Sequence, residues 1–279
     1  YEEALEKLRL GQWIMIREGT AARNLDALYP LLQGDSFRRC LFCCDDVHPG
    51  ELLEDGHIDR IVRRAIARGA NPAHAFIAAS FNAAQRFGLG DTGAIAPGYF
   101  ADLVLLSDRE NVTVEAVYKR GSLVAMDGEL VRPVEEPKAA GRKAVSGTVR
   151  VGDFSAEKLD AHGKALPVIG LVAHELITTD EGRAEAVDTE RDIVKLAVIE
   201  RHHETGHVGL CYLKGYGLRS GAVATTVAHD SHNVIVAGTN DADMARAVEA
   251  LRACGGGMAV VDGGRVTAEL ALPIAGLMC

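Results

Sequence analysis

Two acidic residues, Asp45-Asp46, follow directly on the apolar run Leu41-Phe42-Cys43-Cys44. An unpaired carboxylate is too costly to bury, so the pair must emerge where a buried strand ends. A carboxylate placed there can ligate a divalent cation or carry a proton. It can equally cap the helix that follows, because Asp favours the N-cap position. His48, close behind, and Arg17-Glu18, at the end of an earlier apolar run, are further candidates for the same pocket. Arg17 and Glu18 could instead form a structural ion pair. A second group comprises His202, His203, Glu204 and His207, together with His229, Asp230 and His232. Imidazole suits zinc, iron and manganese in varying degree, so an accessory metal site or a pocket wall is one reading. Turn residues bonding the backbone, within a polar loop, are the other. Cys40 and Cys43 form a C-x-x-C, but inside an apolar run, where a free thiol behaves as a small hydrophobe.

The elements that must position these residues read as follows. Residues 2–10 carry an amphipathic helical pattern, Trp13–Ile16 a short buried strand, and 21–32 a helix. A second buried strand runs from Cys40 to Cys44, and helices are expected over 51–69 and 72–87, the latter opened by Pro72. Strand, polar residues at its C-terminal end, helix, and the same again is the pattern of a parallel α/β barrel or doubly wound sheet. Beyond Gly88 the texture becomes turn-rich. A strand is expected over 101–106, and a hairpin from Val114–Lys119 and Leu123–Ala125 around Arg120-Gly121-Ser122. Pro133, Pro137, Lys138, Arg142 and Lys143 mark residues 133–147 as a connection. A second α/β region follows, with strands at 168–173, 193–200, 208–213, 222–227, 233–237, 257–262 and 265–270. Its helix, 241–254, ends at a run of glycines.

The 279 residues suffice for one large domain or two to three ordinary ones, and 48% hydrophobic residues imply a sizeable core. A net charge of −9 without a basic run argues against nucleic acid or an anionic membrane as partner. No apolar run reaches the ~20 residues of a membrane span. Six cysteines without disulfide-framework spacing fit a reducing, cytoplasmic setting. The glycine-rich stretches at 206–209 and 215–217 lack both phosphate-binding fingerprints, so no nucleotide cofactor is expected.

Four longer segments carry a resemblance. The stretch from Phe42 to Pro49, FCCDDVHP, closely resembles the last barrel strand of adenine deaminases, and Ile14–Leu25, IMIREGTAARNL, resembles the strand and loop before it. Gly93–Leu106 is similar to the stretch by which amidohydrolases return to their small β-sandwich. Val227–Asn233, VAHDSHN, and Leu272–Met278 are similar to the C-terminal domain that adenine deaminases carry. The resemblance implies an α/β chain with the last strands of a TIM-like (β/α)8 barrel in residues 1–88 and a β-sandwich segment in 89–132. It further implies a linker over 133–147 and an adenine deaminase-type C-terminal domain over 148–279.

The implied reaction is adenine plus water giving hypoxanthine plus ammonia. Asp45 would be the metal ligand and proton shuttle, and Asp46 a helix cap or a support for Asp45. The resemblance implies a divalent metal, two ions of manganese or iron(II), or of zinc. It also implies adenine as substrate and a homo-oligomer, a dimer. The family's early His-x-His, middle carboxylate and later histidines have no counterpart in these residues, so the chain is expected to be a C-terminal portion, poorly soluble alone. Two rivals stay open. One is another amidohydrolase acting on a cyclic amide or a different nucleobase; the other is a non-catalytic binding or oligomerisation fragment.

Overall fold

The computed structural model describes residues 1–133 and 145–279. Residues 134–144, most of the expected connection, lie outside the described residues. The described elements fall into two compact units.

In the first unit, helix α1 (Glu2–Arg9) leads to strand β1 (Ile14–Arg17). A short helix α2 (Leu25–Leu28) continues into a 3-10 turn over Tyr29–Leu32, and strand β2 (Cys40–Cys43) follows. β1 and β2 pair in parallel, in register from Ile14 opposite Cys40 to Arg17 opposite Cys43. Ile14, Ile16, Cys40 and Phe42 point into one apolar cluster with Leu25, Leu31 and Leu32. Parallel pairing demands a crossover, which residues 18–39 provide.

Four helices come next: α3 (Pro49–Glu54), α4 (Ile58–Ala67), α5 (Pro72–Ala79) and α6 (Phe81–Arg86). Two long helices were expected here, and both are divided. Gly56, in the left-handed region at φ 96°, separates α3 from α4, and Ser80, at φ −128° and ψ −80°, separates α5 from α6. The helix expected over 21–32 likewise shrinks to α2 and its 3-10 turn. α4 turns Ile61, Val62 and Ala65 to the core, and α5 turns Ala75 and Ala78. Asn71 caps α5, its side chain accepting from Ala73 N at 2.9 Å. Cys40 is fully buried, which pushes its thiol up to about 12. That is the behaviour of a packed thiol rather than a reactive one.

The unit closes with an antiparallel meander, β3 (Leu103–Asp108), β4 (Thr113–Lys119), β5 (Ser122–Met126) and β6 (Glu129–Leu130), in that spatial order. Arg120 and Gly121 both take positive φ between β4 and β5, the backbone of a tight hairpin turn whose twist matches its strands.

The second unit is one eight-stranded sheet. Its strands are β7 (Leu166–Leu171), β8 (Thr178–Ala184), β9 (Ile193–Ile199), β10 (Val208–Lys214), β11 (Ala222–Thr225), β12 (Val234–Gly238), β13 (Gly257–Asp262) and β14 (Arg265–Ala271). The spatial order is β14-β13-β11-β12-β9-β10-β7-β8. Every neighbouring pair is antiparallel except β10–β7. Helix α7 (Asp241–Cys254) lays Met244, Ala247, Val248 and Leu251 on the sheet, against Ile199, Ala224, Val236 and Val261 among others. Asn240 caps it, accepting from Asp243 N at 2.8 Å, and Gly255 ends it in the left-handed region. β8 was not anticipated. Its sequence, TTDEGRA, is exposed along nearly its whole length and carries no apolar alternation. No helix among the described residues is long and apolar enough to cross a membrane.

Candidate active site

The C-terminal ends of β1 and β2 deliver Arg17 and, two residues past Cys43, Asp45 to the same edge. Arg17 Nη1 donates to Asp45 Oδ2 at 3.1 Å, with the two side chains 25% and 46% exposed. Arg17 Nε donates to Asn24 Oδ1 at 3.3 Å. Asp45 takes φ 53°, a left-handed conformation uncommon for a residue other than Gly, Asn or Asp. It turns the chain sharply off the strand and leaves the carboxylate half in solvent.

Neither acid caps the following helix, contrary to one expectation from sequence. The N-cap of α3 is His48, without a side-chain capping bond. Asp46 instead reaches the loop after β1, where its Oδ2 accepts from Ala21 N at 3.3 Å and its Oδ1 is buried without a hydrogen-bond partner. His48 takes part through its backbone, its N–H donating to Thr20 Oγ1 at 2.9 Å. No side-chain hydrogen bond of its ring to Arg17, Asp45 or Asp46 is formed.

Glu18 is 1% exposed and turns away from Asp45. Its Oε1 accepts from Leu25 N at 3.1 Å, and its Oε2 lies 3.0 Å from Arg64 Nη1, an ion pair without hydrogen-bond angles. Arg60, also buried, donates to Glu18 O at 2.8 Å and to Glu51 Oε2 at 3.4 Å. Thr20 Oγ1 donates to the same Glu51 oxygen at 2.8 Å, and Arg23 lies 3.4 Å from the other. Thr20 foremost, then Arg23 and Arg60, hold the Glu51 carboxyl below its ordinary range against some burial. Glu18, Thr20, Arg23, Glu51, Arg60 and Arg64 thus lock the loop after β1 onto α3 and α4. Of these only Glu18 is singled out in the sequence; Thr20 reads as a loop residue and the rest as ordinary charges on helices and a loop.

In the second unit the histidines meet because β9 pairs with β12, which brings the loop after β9 beside the loop before β12. His202 Nε2 lies 2.8 Å from Ser231 O, and the rings of His229 and His232 meet edge to face at 5.0 Å. His232 Nδ1 accepts from Ala228 N at 3.2 Å. Burial, then His229 and Arg201, lower the His232 pKa against the pull of Asp230. His203 and His207 enter through their backbones. His203 N donates to Glu200 Oε1 at 2.7 Å, and His207 N to Thr205 Oγ1 at 3.3 Å. Glu200 also accepts from His202 N and from Thr205 N, the latter at 3.0 Å. Burial would raise the Glu200 carboxyl, but these donors outweigh it and leave its pKa at about 2. Arg201, 2% exposed, donates to the carbonyls of His232 and Ala275. Glu200 and Arg201 are therefore the residues that shape this loop pair, and neither carried a signal in the sequence.

Among the described residues, no three His, Cys, Asp or Glu side chains converge as a metal site. Asp45 fits one ligand position: one oxygen is engaged by Arg17 and the other carries no hydrogen bond, on a half-exposed carboxylate. His202 Nε2 and His232 Nδ1 are each engaged by a backbone group, which is turn chemistry.

Residues 12–124 match the amidohydrolase family, and residues 168–279 match the adenine deaminase C-terminal domain. An adenine deaminase of Nitratidesulfovibrio vulgaris (strain DP4) is 48% identical over 99% of this chain and 49% of its own length. Adenine deaminases of Desulfatibacillum aliphaticivorans and Carboxydothermus hydrogenoformans are 44% and 43% identical, each over 99% of this chain and 50% of their own. The amidohydrolase match spans the parallel strand pair β1–β2, with Asp45 past its C-terminal end. The second unit carries the match to the adenine deaminase C-terminal domain, and the similarity to adenine deaminases runs over nearly the whole chain. It spans about half the length of the curated relatives it matches.

Proposed function

We propose that the protein hydrolyses adenine to hypoxanthine and ammonia, with Asp45 as metal ligand and proton carrier. The observation that carries the reading is the adenine deaminase C-terminal domain at 168–279, on the same chain as Asp45 at the end of β2. In the reaction the oxygen of water bonds to C6 of the purine and the exocyclic C6–N bond breaks. The divalent metal, when bound, makes water a competent nucleophile at neutral pH. Arg17 holds Asp45 Oδ2 and so orients the carboxylate, which would take one proton from water and pass it to the departing nitrogen, the second proton of water staying with the product. Asp46 keeps the loop after β1 close to Asp45 through Ala21.

In the same reading residues 1–88 are the last strands of a TIM-like (β/α)8 barrel, whose active sites gather at the C-terminal ends of the strands. Residues 89–132 are a segment of the β-sandwich, 133–147 a linker and 148–279 the C-terminal domain. The enzyme is cytoplasmic, a homodimer, and binds two ions of manganese or iron(II), or of zinc. The test is incubation of adenine with the protein expressed from its complete reading frame. Hypoxanthine and ammonia appearing in equal amounts support the proposal; turnover of a different nucleobase or of a cyclic amide, and not of adenine, refutes it.

A further inference from the structure

We propose that Asn24 is a positioning residue for this reaction, acting on Asp45 through Arg17; the inference rests on the role given to Asp45 above. Asn24 stands at the N-cap of α2, where an Asn side chain ordinarily accepts from the first helical N–H groups, yet it makes no capping bond. Its Oδ1 accepts from Arg17 Nε at 3.3 Å, and its backbone N donates to Arg17 O at 2.8 Å. A guanidinium is planar and rigid, so fixing Nε on one side sets the direction in which Nη1 points. Here Nη1 points at Asp45 Oδ2, 3.1 Å away. Asp45 sits on a short turn with φ 53° and has no other side-chain partner among the described residues. The chain Asn24–Arg17–Asp45 thus leaves one carboxylate oxygen held and the other free. Without Asn24 the Arg17 side chain regains rotamers, and Asp45 loses its direction while keeping its chemistry.

The test uses Asn24→Ala, Asn24→Ser, Asn24→Asp and Arg17→Met in the protein expressed from its complete reading frame and loaded with Mn(II). Steady-state kcat and KM for adenine and the Mn(II) dissociation constant by chelator competition are measured for each. Groups that orient a ligand typically matter by 10–100-fold, so Asn24→Ala should lower kcat on the order of tenfold and weaken Mn(II) by a similar factor. KM should stay within about twofold, because a positioning effect falls on the transition state. Asn24→Asp, which keeps the acceptor, should recover most of the loss, whereas Asn24→Ser, too short to reach Arg17, should not. Asn24→Ala added to Arg17→Met should change nothing further.

A capping role predicts the opposite for serine, which caps as well as asparagine. A wild-type-like Asn24→Ser, or effects of Asn24 and Arg17 that simply add, would overturn the inference. If the wild type binds Mn(II) but does not turn over adenine, the functional reading fails by itself. Mn(II) affinity then decides: a shared, non-additive loss sustains the positioning chain, and unchanged affinity ends it. A wild type that binds no Mn(II) overturns both.

Discussion

Replacing Gly19 by Ala perturbs the site at its tightest backbone approach. A Cβ on Gly19 would lie 2.0 Å from Asp46 Oδ1, 3.1 Å from Cys44 O and 3.3 Å from Ala22 O. Two of these neighbours are backbone, so the methyl cannot slide aside, and the Asp46 carboxylate must retreat by more than ~1 Å to reach ordinary contact. Its bond from Ala21 N, already 3.3 Å long, is lost in the process. Overpacking of this kind costs about 1–3 kcal/mol and the lost hydrogen bond about 1 kcal/mol, giving roughly 2–4 kcal/mol. Because Asp46 adjoins Asp45, the displacement reaches the proton carrier, where ~1 Å of misplacement costs on the order of 100-fold in rate. The assay is thermal melting together with adenine turnover, with Gly34→Ala as control, since a Cβ on Gly34 meets nothing within 4 Å. A Gly19→Ala protein that melts and turns over like Gly34→Ala would refute this account of how the loop after β1 meets Asp46.

Glu18→Gln keeps the shape of a buried carboxylate but removes its charge, so Arg64 loses its ion pair. Stability should fall by about 1–3 kcal/mol in denaturant melts while adenine turnover stays within a few-fold, as a structural role requires. Cys40, raised by burial from 9.0 to about 12, favours folding fully below pH 9, and that stability is lost as pH rises from 9 towards 12. Cys40→Ala should flatten the alkaline limb of the stability curve over that window, and iodoacetamide should leave Cys40 unlabelled in the native protein. Glu200, lowered from 4.5 to about 2, favours folding above pH 4.5, and that contribution is lost as pH falls from 4.5 to 2. Glu200→Gln should blunt this acid sensitivity and speed hydrogen exchange at the amides of His202, His203 and Thr205.

The sequence was most legible where local chemistry and tertiary position agree. α7 stops at Gly255 because a left-handed glycine is written into the chain itself, and the cap at its start, Asn240, is a local signal that the sequence reading of 241–254 did not use. An apolar run ending in two acids can only be a buried strand that surfaces, and β2 with Asp45 is that. Helix continuity was less legible, because the apolar periodicity runs on through Gly56 and Ser80, where the backbone turns. β8 was invisible because an exposed edge strand needs no apolar face. At the site, Asp45 and Arg17 stand out by position, but their contact depends on the β1–β2 register, and a register is a long-range fact. The same holds for the histidines, whose loops meet only through the pairing of β9 with β12.

The central claim is that Asp45 carries the chemistry, and Asp45→Asn tests it most directly. The variant and the wild type, each expressed from the complete reading frame and supplied with manganese or iron(II), are compared for hypoxanthine formation from adenine, with melting temperature and oligomeric state measured alongside. The account predicts that turnover falls by at least about 100-fold, the scale of general acid–base catalysis, while folding and assembly stay as in the wild type. An Asp45→Asn protein that still deaminates adenine at the wild-type rate would contradict it.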